Sequence, residues 1–261
     1  MTKMTSKDFI EKAKTIANNY KTLYVLGCFG APLNTTNKER YTRNYSYNAQ
    51  SSRASKIRSA SYDTFGFDCV CLIKGILWGW DGNVNATYGG AKYGSNGVPD
   101  VGADQMMNYC YDVSTDFSNI KKGELVHMPG HIGIYIGDGL AVECTPIWGD
   151  GVQITAVGNI AKKSGYNTRY WTNHGKSNFI DYSDQGGDES FLSPRGWLTK
   201  GDSGEKIVKV DSWFAEKVKG NYFGDYTEAC VKVFQKQNGL EQDGNIGPIT
   251  LAKMEEQGFK E

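Results

Sequence analysis

No stretch of the 261-residue chain approaches the roughly 20 apolar residues that a helix needs to cross a bilayer, so no membrane partner is expected. Charge of one sign is also lacking. The chain has 29 Lys and Arg against 29 Asp and Glu, which argues against a polybasic nucleic-acid binder. Its six cysteines, at 28, 69, 71, 110, 144 and 230, form no paired CxxC knuckles. A structural zinc site or a redox dithiol is therefore unsupported, and most of the thiols are expected to be small buried hydrophobes. The opening "MTKMTSKDFIEKAKTIANNY" has neither an apolar core nor a small-residue cleavage site. Taken alone, it predicts synthesis in a cytoplasm without an export signal. It reads instead as an amphipathic helix through Phe9, Ile10, Ala13, Ile16 and Ala17.

What is present suits a folded protein: 39% hydrophobic and 22% charged residues, with many Tyr and Gly. The polar, Gly- and Pro-bearing "SDQGGDESFLSPR" interrupts the apolar periodicity on both sides. It predicts a linker at 183–195 between a mixed domain at 1–182 and a smaller helical one at 196–261. A long polar region runs from Asn34 to Asp63. In and around it Lys38, Arg40, Arg43, Arg53, Lys56 and Arg58 face only Glu39, which reads as a solvated loop or as a contact surface for an anionic polymer. "CVCLIKGILWGW" carries Leu72, Ile73, Ile76, Leu77 and Trp80 at helical spacing, with Asp68 as N-cap. "HIGIYIGDGLAVEC" alternates, with Ile132, Ile134 and Ile136 on one face and His131, Gly133 and Tyr135 on the other. Helices first and clustered strands later predict an α+β domain with an antiparallel sheet. In the smaller domain, Ile207, Val210, Trp213, Phe214 and Val218 form one helical stripe. Val231 and Phe234 belong to a second, and a third helix spans 249–256, giving an all-α three-helix domain.

Cys69 stands at a helix start, where unpaired amides and the helix dipole favour a thiolate and are expected to lower its pKa. The residues expected to contact a bound substrate here are Asp68 and Val70, with the Asp68 and Cys69 amides as candidate oxyanion donors. His131 opens a strand and would serve as the base. A base needs a neighbour to orient it, and strand parity selects Glu143 on one condition. A two-residue turn at Asp138-Gly139 would put Glu143 on the wrong face. A three-residue loop, Gly137 to Gly139, pairs Gly133 with Glu143 and brings Glu143 to the His131 face. That loop is the expectation. His127 lacks further ligands for zinc and reads as structural, while His174 reads as an exposed residue of a polar turn. No metal or cofactor is expected, and "DGNIGP" reads as a helix-connecting turn because it lacks the acids of a calcium loop.

"FDCVCLIKGILWGW", "HIGIYIGDGLAVEC" and "YWTNHGK" resemble the motifs of the NlpC-type papain-fold cysteine peptidases that cut bacterial cell walls. The resemblance spans most of residues 20–180. It implies Cys69 as nucleophile, His131 as base and Glu143 as the orienting residue. "YVLGCFG" is similar to the family's upstream Tyr-Gly motif, which implies Tyr24 beside the site. Val70 and Cys71 depart from the Ser-Gly that usually follows the family's Cys, and the stretch from Asn34 to Asp63 looks like an insertion. "GDSGEKIVKV", "YFGDYTEACVKVFQKQNGL" and "DGNIGPITLAKM" resemble the three-helix peptidoglycan-binding domain of wall hydrolases. That implies bacterial peptidoglycan as partner, with Tyr222, Asp225, Tyr226 and Asn245 as contacts. Together they resemble an endolysin: a monomeric thiol enzyme cutting a stem-peptide amide at the cell wall. A wall-binding protein with a dead peptidase fold is the alternative.

Overall fold

A computed structural model describes residues 3–183 and 223–259. The chain divides into two compact units, residues 1–190 and 191–261.

In the first unit, the short strand β1 (Met4–Thr5) leads into α1 (Ser6–Asn19), which Thr5 caps by accepting the Asp8 amide at 3.1 Å. Its predicted stripe buries Phe9, Ile10, Ala13 and Ile16. Strands β2 (Thr22–Tyr24), β3 (Phe29–Pro32) and β4 (Phe65–Phe67) make a three-stranded sheet in the order β2-β4-β3. From it the chain enters α5 (Cys69–Leu77), whose every residue is buried, Lys74 included. A helix apolar nearly all round belongs inside a core. Lys74 tolerates that position by pairing with Asp100 at 2.5 Å and the Val101 carbonyl at 3.0 Å.

After the short helix α6 (Ala103–Met106), the main sheet holds β5 (Cys110–Ser114), β6 (Leu125–Met128), β7 (His131–Gly137), β8 (Leu140–Thr145), β9 (Gly151–Val157), β10 (Thr168–Arg169) and β11 (Asn173–Ser177). Their order is β10-β9-β8-β7-β6-β11-β5, antiparallel except for β10 on β9. Ile132, Ile134 and Ile136 enter one core with α1 and α5, each worth about 1.5–3 kcal/mol of burial. Tyr135, Val126, Ala141 and Trp171 fill a second core on the opposite face. The β7–β8 register places Gly133 opposite Glu143 as expected, but not through a three-residue loop. Gly137 pairs with Leu140 across a two-residue turn at Asp138-Gly139, and a bulge between Tyr135 and Gly137 supplies the extra residue that brings Glu143 to the His131 face. Gly137, Asp138 and Gly139 all take positive φ, at 95°, 53° and 71°, a geometry suited to Gly and tolerated by Asp.

Two further expectations need correction. The polar region after Asn34 is not a loop: it folds as α2 (Thr35–Asn44), α3 (Ser46–Ala49) and α4 (Ser51–Ser59). Sparse anchors suffice, with Tyr41, Ala54 and Ile57 buried. Arg53 is buried too, paired with Asp150 at 2.6 Å. His174 is likewise not exposed. It lies on β11 at 2% exposure, bonded to the equally buried Glu124 and to the Asp116 carbonyl. His127 is tied to Asn173 at 3.0 Å and to Asp104 at 2.8 Å.

In the second unit, α7 (Asp225–Gln237) and α8 (Pro248–Glu256) are joined by the "DGNIGP" turn. Gln235, 1% exposed, organises that turn. Its amide nitrogen donates to Asp243, the Asn245 carbonyl and Thr250, and its oxygen accepts the Gly244 amide. The helix expected over 207–218 lies outside the described residues. No helix among the described residues is long and apolar enough to cross a membrane.

The His174–Glu124 pair makes stability depend on pH. Burial disfavours the His174 cation, but the Glu124 hydrogen bond, the Asp116 carbonyl and the charges of both acids together outweigh it and raise the pKa above 6.5. The pair's contribution is therefore complete below the unfolded value and is lost as pH rises through the higher folded value. Urea titrations are expected to show wild-type stability falling across that window more steeply than in His174→Gln. Parallel slopes would contradict the pairing.

Candidate functional site

Asp68 caps α5 by accepting the Cys71 amide on one carboxylate oxygen and the Gly27 amide on the other, both at 2.7 Å. This fixes the first turn of the helix and, with it, Cys69. The Asp68 amide itself donates to the Cys28 carbonyl at 3.1 Å. The expectation of Asp68 as an oxyanion donor is thereby corrected, because its N–H is already spent. The amides of Cys69, Val70 and Ile132 instead are near enough to the Cys69 sulfur to favour its charged form. Ile132 follows His131 directly, so the start of α5 meets the start of β7. The Val70 side chain belongs to the core, leaving only its backbone for a ligand.

The Cys69 thiol does not behave as helix position alone predicts. It is 7% exposed, and burial, reinforced by the Asp68 charge, pushes its pKa up to about 12 against the opposing pull of the three amides. Desolvation wins over the helix dipole here. No hydrogen bond joins Cys69 to the His131 imidazole in this structure, and the resting site holds a neutral thiol.

His131 is held more firmly. Its Nε2 bonds the Glu143 carboxylate at 2.6 Å, which leaves Nδ1 as the nitrogen free for chemistry. Trp171 lies flat against the ring, 5.5 Å between centroids and 7° from parallel. Gly133 makes this possible: a Cβ there would sit 3.1 Å from the Trp171 ring and 3.0 Å from the Val142 carbonyl.

Glu143 has 0% exposure, yet it carries a full set of donors. Besides His131, it accepts Thr155 Oγ1 at 2.7 Å and Arg169 Nε at 2.7 and 2.8 Å. Burial favours the neutral acid, but the His131 and Arg169 hydrogen bonds prevail and hold the carboxyl below its ordinary value. The Arg169 guanidinium lies between two indoles, 4.9 Å from the Trp148 ring centre and 5.6 Å from that of Trp171. The sequence reading missed Arg169, Thr155 and Trp171. Strand parity on β9 could have found Thr155, which shares a face with Glu143. No sequence signal connects Arg169, 26 residues on, to that carboxylate.

Tyr24 is half-buried at the end of β2 and close enough to Cys69 and Asp68 for their charges to add to the effect of burial in raising its pKa. Arg53 stacks over it, 5.8 Å from the ring centre, and Tyr47 packs edge-on at 5.9 Å. In the second unit, Asp225 is exposed in the first turn of α7 and Asn245 is exposed in the turn. Tyr226 lies on α7, and Tyr222 is outside the described residues. A cavity of about 690 Å³ bordered by Tyr20, Leu77, Trp80 and Phe179 lies at the other end of α5 and shares no residue with this site.

Residues 211–254 match the family described as "Putative peptidoglycan binding domain". No curated protein sequence matches the chain. Among solved structures, the chain is similar to RipB, a peptidoglycan hydrolase of Mycobacterium tuberculosis, at 19% identity and a TM-score of 0.33. The alignment covers 68% of this chain and 67% of RipB. At that score the likeness carries no argument. The match at 211–254 supports peptidoglycan as a partner and fits action at the cell wall.

Replacing Arg169 by Met is expected to cost about 3 kcal/mol near neutrality, because a buried charge loses its main counter-charge. A carboxylate whose folded pKa is depressed contributes stability above its unfolded value and loses it as pH falls through the folded one. The penalty in urea unfolding should therefore shrink as Glu143 protonates in acid. A penalty independent of pH would contradict the ion pair.

Proposed function

We propose that the chain is a peptidoglycan hydrolase that cuts an amide of the wall's stem peptide through Cys69 and His131. The observation that carries this reading is the held imidazole. Glu143 occupies Nε2 and fixes the tautomer with Nδ1 available, while the Ile132 amide, next to His131 in the chain, is near enough to the Cys69 sulfur to favour its charged form. A helix-borne Cys, a strand-borne His and an acceptor on the next strand support a papain-like, NlpC-type catalytic domain at 1–182. The family match supports a peptidoglycan-binding domain at 196–261, with 183–195 as the tether and Tyr222, Asp225, Tyr226 and Asn245 as wall contacts. A tethered wall binder raises the local concentration of substrate.

Because the resting thiol is neutral, His131 removes its proton as attack begins. Sulfur bonds to the carbonyl carbon, and the oxyanion is received by the Cys69 and Val70 amides at the start of α5. The imidazolium then gives its proton to the departing amine as the C–N bond breaks, leaving a thioester on Cys69. Water, deprotonated by His131, attacks the thioester; the free acid leaves and the thiol is restored. Glu143 neutralises the imidazolium at each stage, and Tyr24 borders the substrate on the β2 side.

A second reading, wall binding without catalysis, draws on the neutral, buried Cys69 thiol. The two separate cleanly. Purified walls should lose turbidity with the wild type and not with Cys69→Ala, while both proteins sediment with walls. Glu143→Gln should clear walls about 100-fold more slowly, the scale of a misplaced general base. Equal clearing by wild type and Cys69→Ala would exclude Cys69 as nucleophile. Binding without clearing by the wild type would favour the second reading.

A further inference from the structure

Between β8 and β9 the chain forms a short loop, Pro146 to Asp150, whose backbone is pinned at several points. Gln153 accepts the Gly149 amide at 3.2 Å and donates to the Ile147 carbonyl at 3.0 Å. Asp150 is clamped by Arg53 at 2.6 Å and Lys56 at 2.5 Å, and its carbonyl accepts the Tyr24 amide at 3.2 Å. This clamping holds Trp148 at φ 60°. The other non-glycine residues with positive φ among the described residues are Asn96, Asp112, Asp138 and Asp150. Asn and Asp tolerate this region; for a bulky indole it is strained, and such strain persists where the surroundings enforce it.

Core packing does not explain the strain, because Trp148 is 45% exposed. One side of its ring covers Arg169, whose guanidinium in turn grips Glu143 and so adjoins the His131 side of the site. The arrangement presents a rigid, flat, electron-rich surface to solvent beside the catalytic centre. A pyranose ring offers a matching flat face of C–H groups, whereas an extended stem peptide offers no aliphatic plane of that size. Aromatic rings with one apolar, solvent-facing side are suited to such contacts.

We propose that Trp148 is a saccharide-stacking platform, taking a pyranose ring of the wall glycan next to the Cys69–His131 site. The choice of glycan rests on the wall-hydrolase reading above; the platform itself rests on the loop geometry. The test uses the full-length Cys69→Ala protein, so that nothing is turned over. Its Trp148 indole N–H resonance is assigned by its loss in Trp148→Phe or, should that variant misfold, in Trp148→Gly, which relieves the positive φ. Titration with the peptide-free disaccharide of N-acetylglucosamine and N-acetylmuramic acid should move that resonance to saturation. The free stem peptide should leave it in place. A resonance unmoved by the disaccharide, or moved only by the peptide, overturns the proposal. If the wild type clears no walls but the disaccharide still moves the resonance, the hydrolase reading fails and the saccharide platform stands.

Discussion

A carboxylate without solvent contact stays charged only when donors surround it, and Glu143 draws its donors from three strands. His131 comes from β7, Thr155 from β9 and Arg169 from β10. The His131 contact requires the β7–β8 register that pairs Gly133 with Glu143, and the Thr155 contact requires the β8–β9 register that pairs Glu143 with Gln153. A slip of one residue would turn Glu143 into the core with Ile132 and Ile134, and the imidazole would lose its anchor. The rest of the site follows from this one buried charge. It orients His131, and His131 lies flat on Trp171 over the gap that Gly133 leaves open.

Arg169 gives the arrangement its particular character. A carboxylate answered by His131 alone would be costly to bury and inclined to take a proton. The guanidinium shares its charge, and two indoles shield the guanidinium in turn. Cys69 contrasts with this well-compensated network. Its thiol is buried, faced by amides, and kept neutral by desolvation and by Asp68. The proposed chemistry therefore places the proton transfer within the attack itself, with no standing ion pair at rest.

Much of this arrangement could be read from residue order. The alternation of Ile132, Ile134 and Ile136 set the buried face of β7, and the pairing of Gly133 with Glu143 was legible, although a bulge before Gly137 and a two-residue turn produce it instead of the expected three-residue loop. Asp68 and the apolar run after it marked α5. Long-range pairing was hidden. His174 looked like a turn residue because Glu124, which buries it, lies 50 positions away. The helices after Asn34 were hidden because few apolar residues anchor them and because Arg53 is buried against Asp150, 97 residues distant. The loss of the Asp68 amide as an oxyanion donor depends on the Cys28 carbonyl, another contact between separate segments. Sequence periodicity reports faces and parity; it does not report which distant charge arrives to complete a buried pair.

The central claim is that Cys69 carries the acyl group during cleavage. Acid-quenching the protein seconds after mixing with soluble stem-peptide fragments, followed by peptide mapping by mass spectrometry, tests it directly. The account predicts a thioester-linked peptide fragment on the peptide that contains Cys69, absent in Cys69→Ala and accumulating in a variant with slowed deacylation. Release of new amine and carboxyl ends from the fragments with no adduct on Cys69 at any quench time, and with Cys69→Ala equally active, would contradict it.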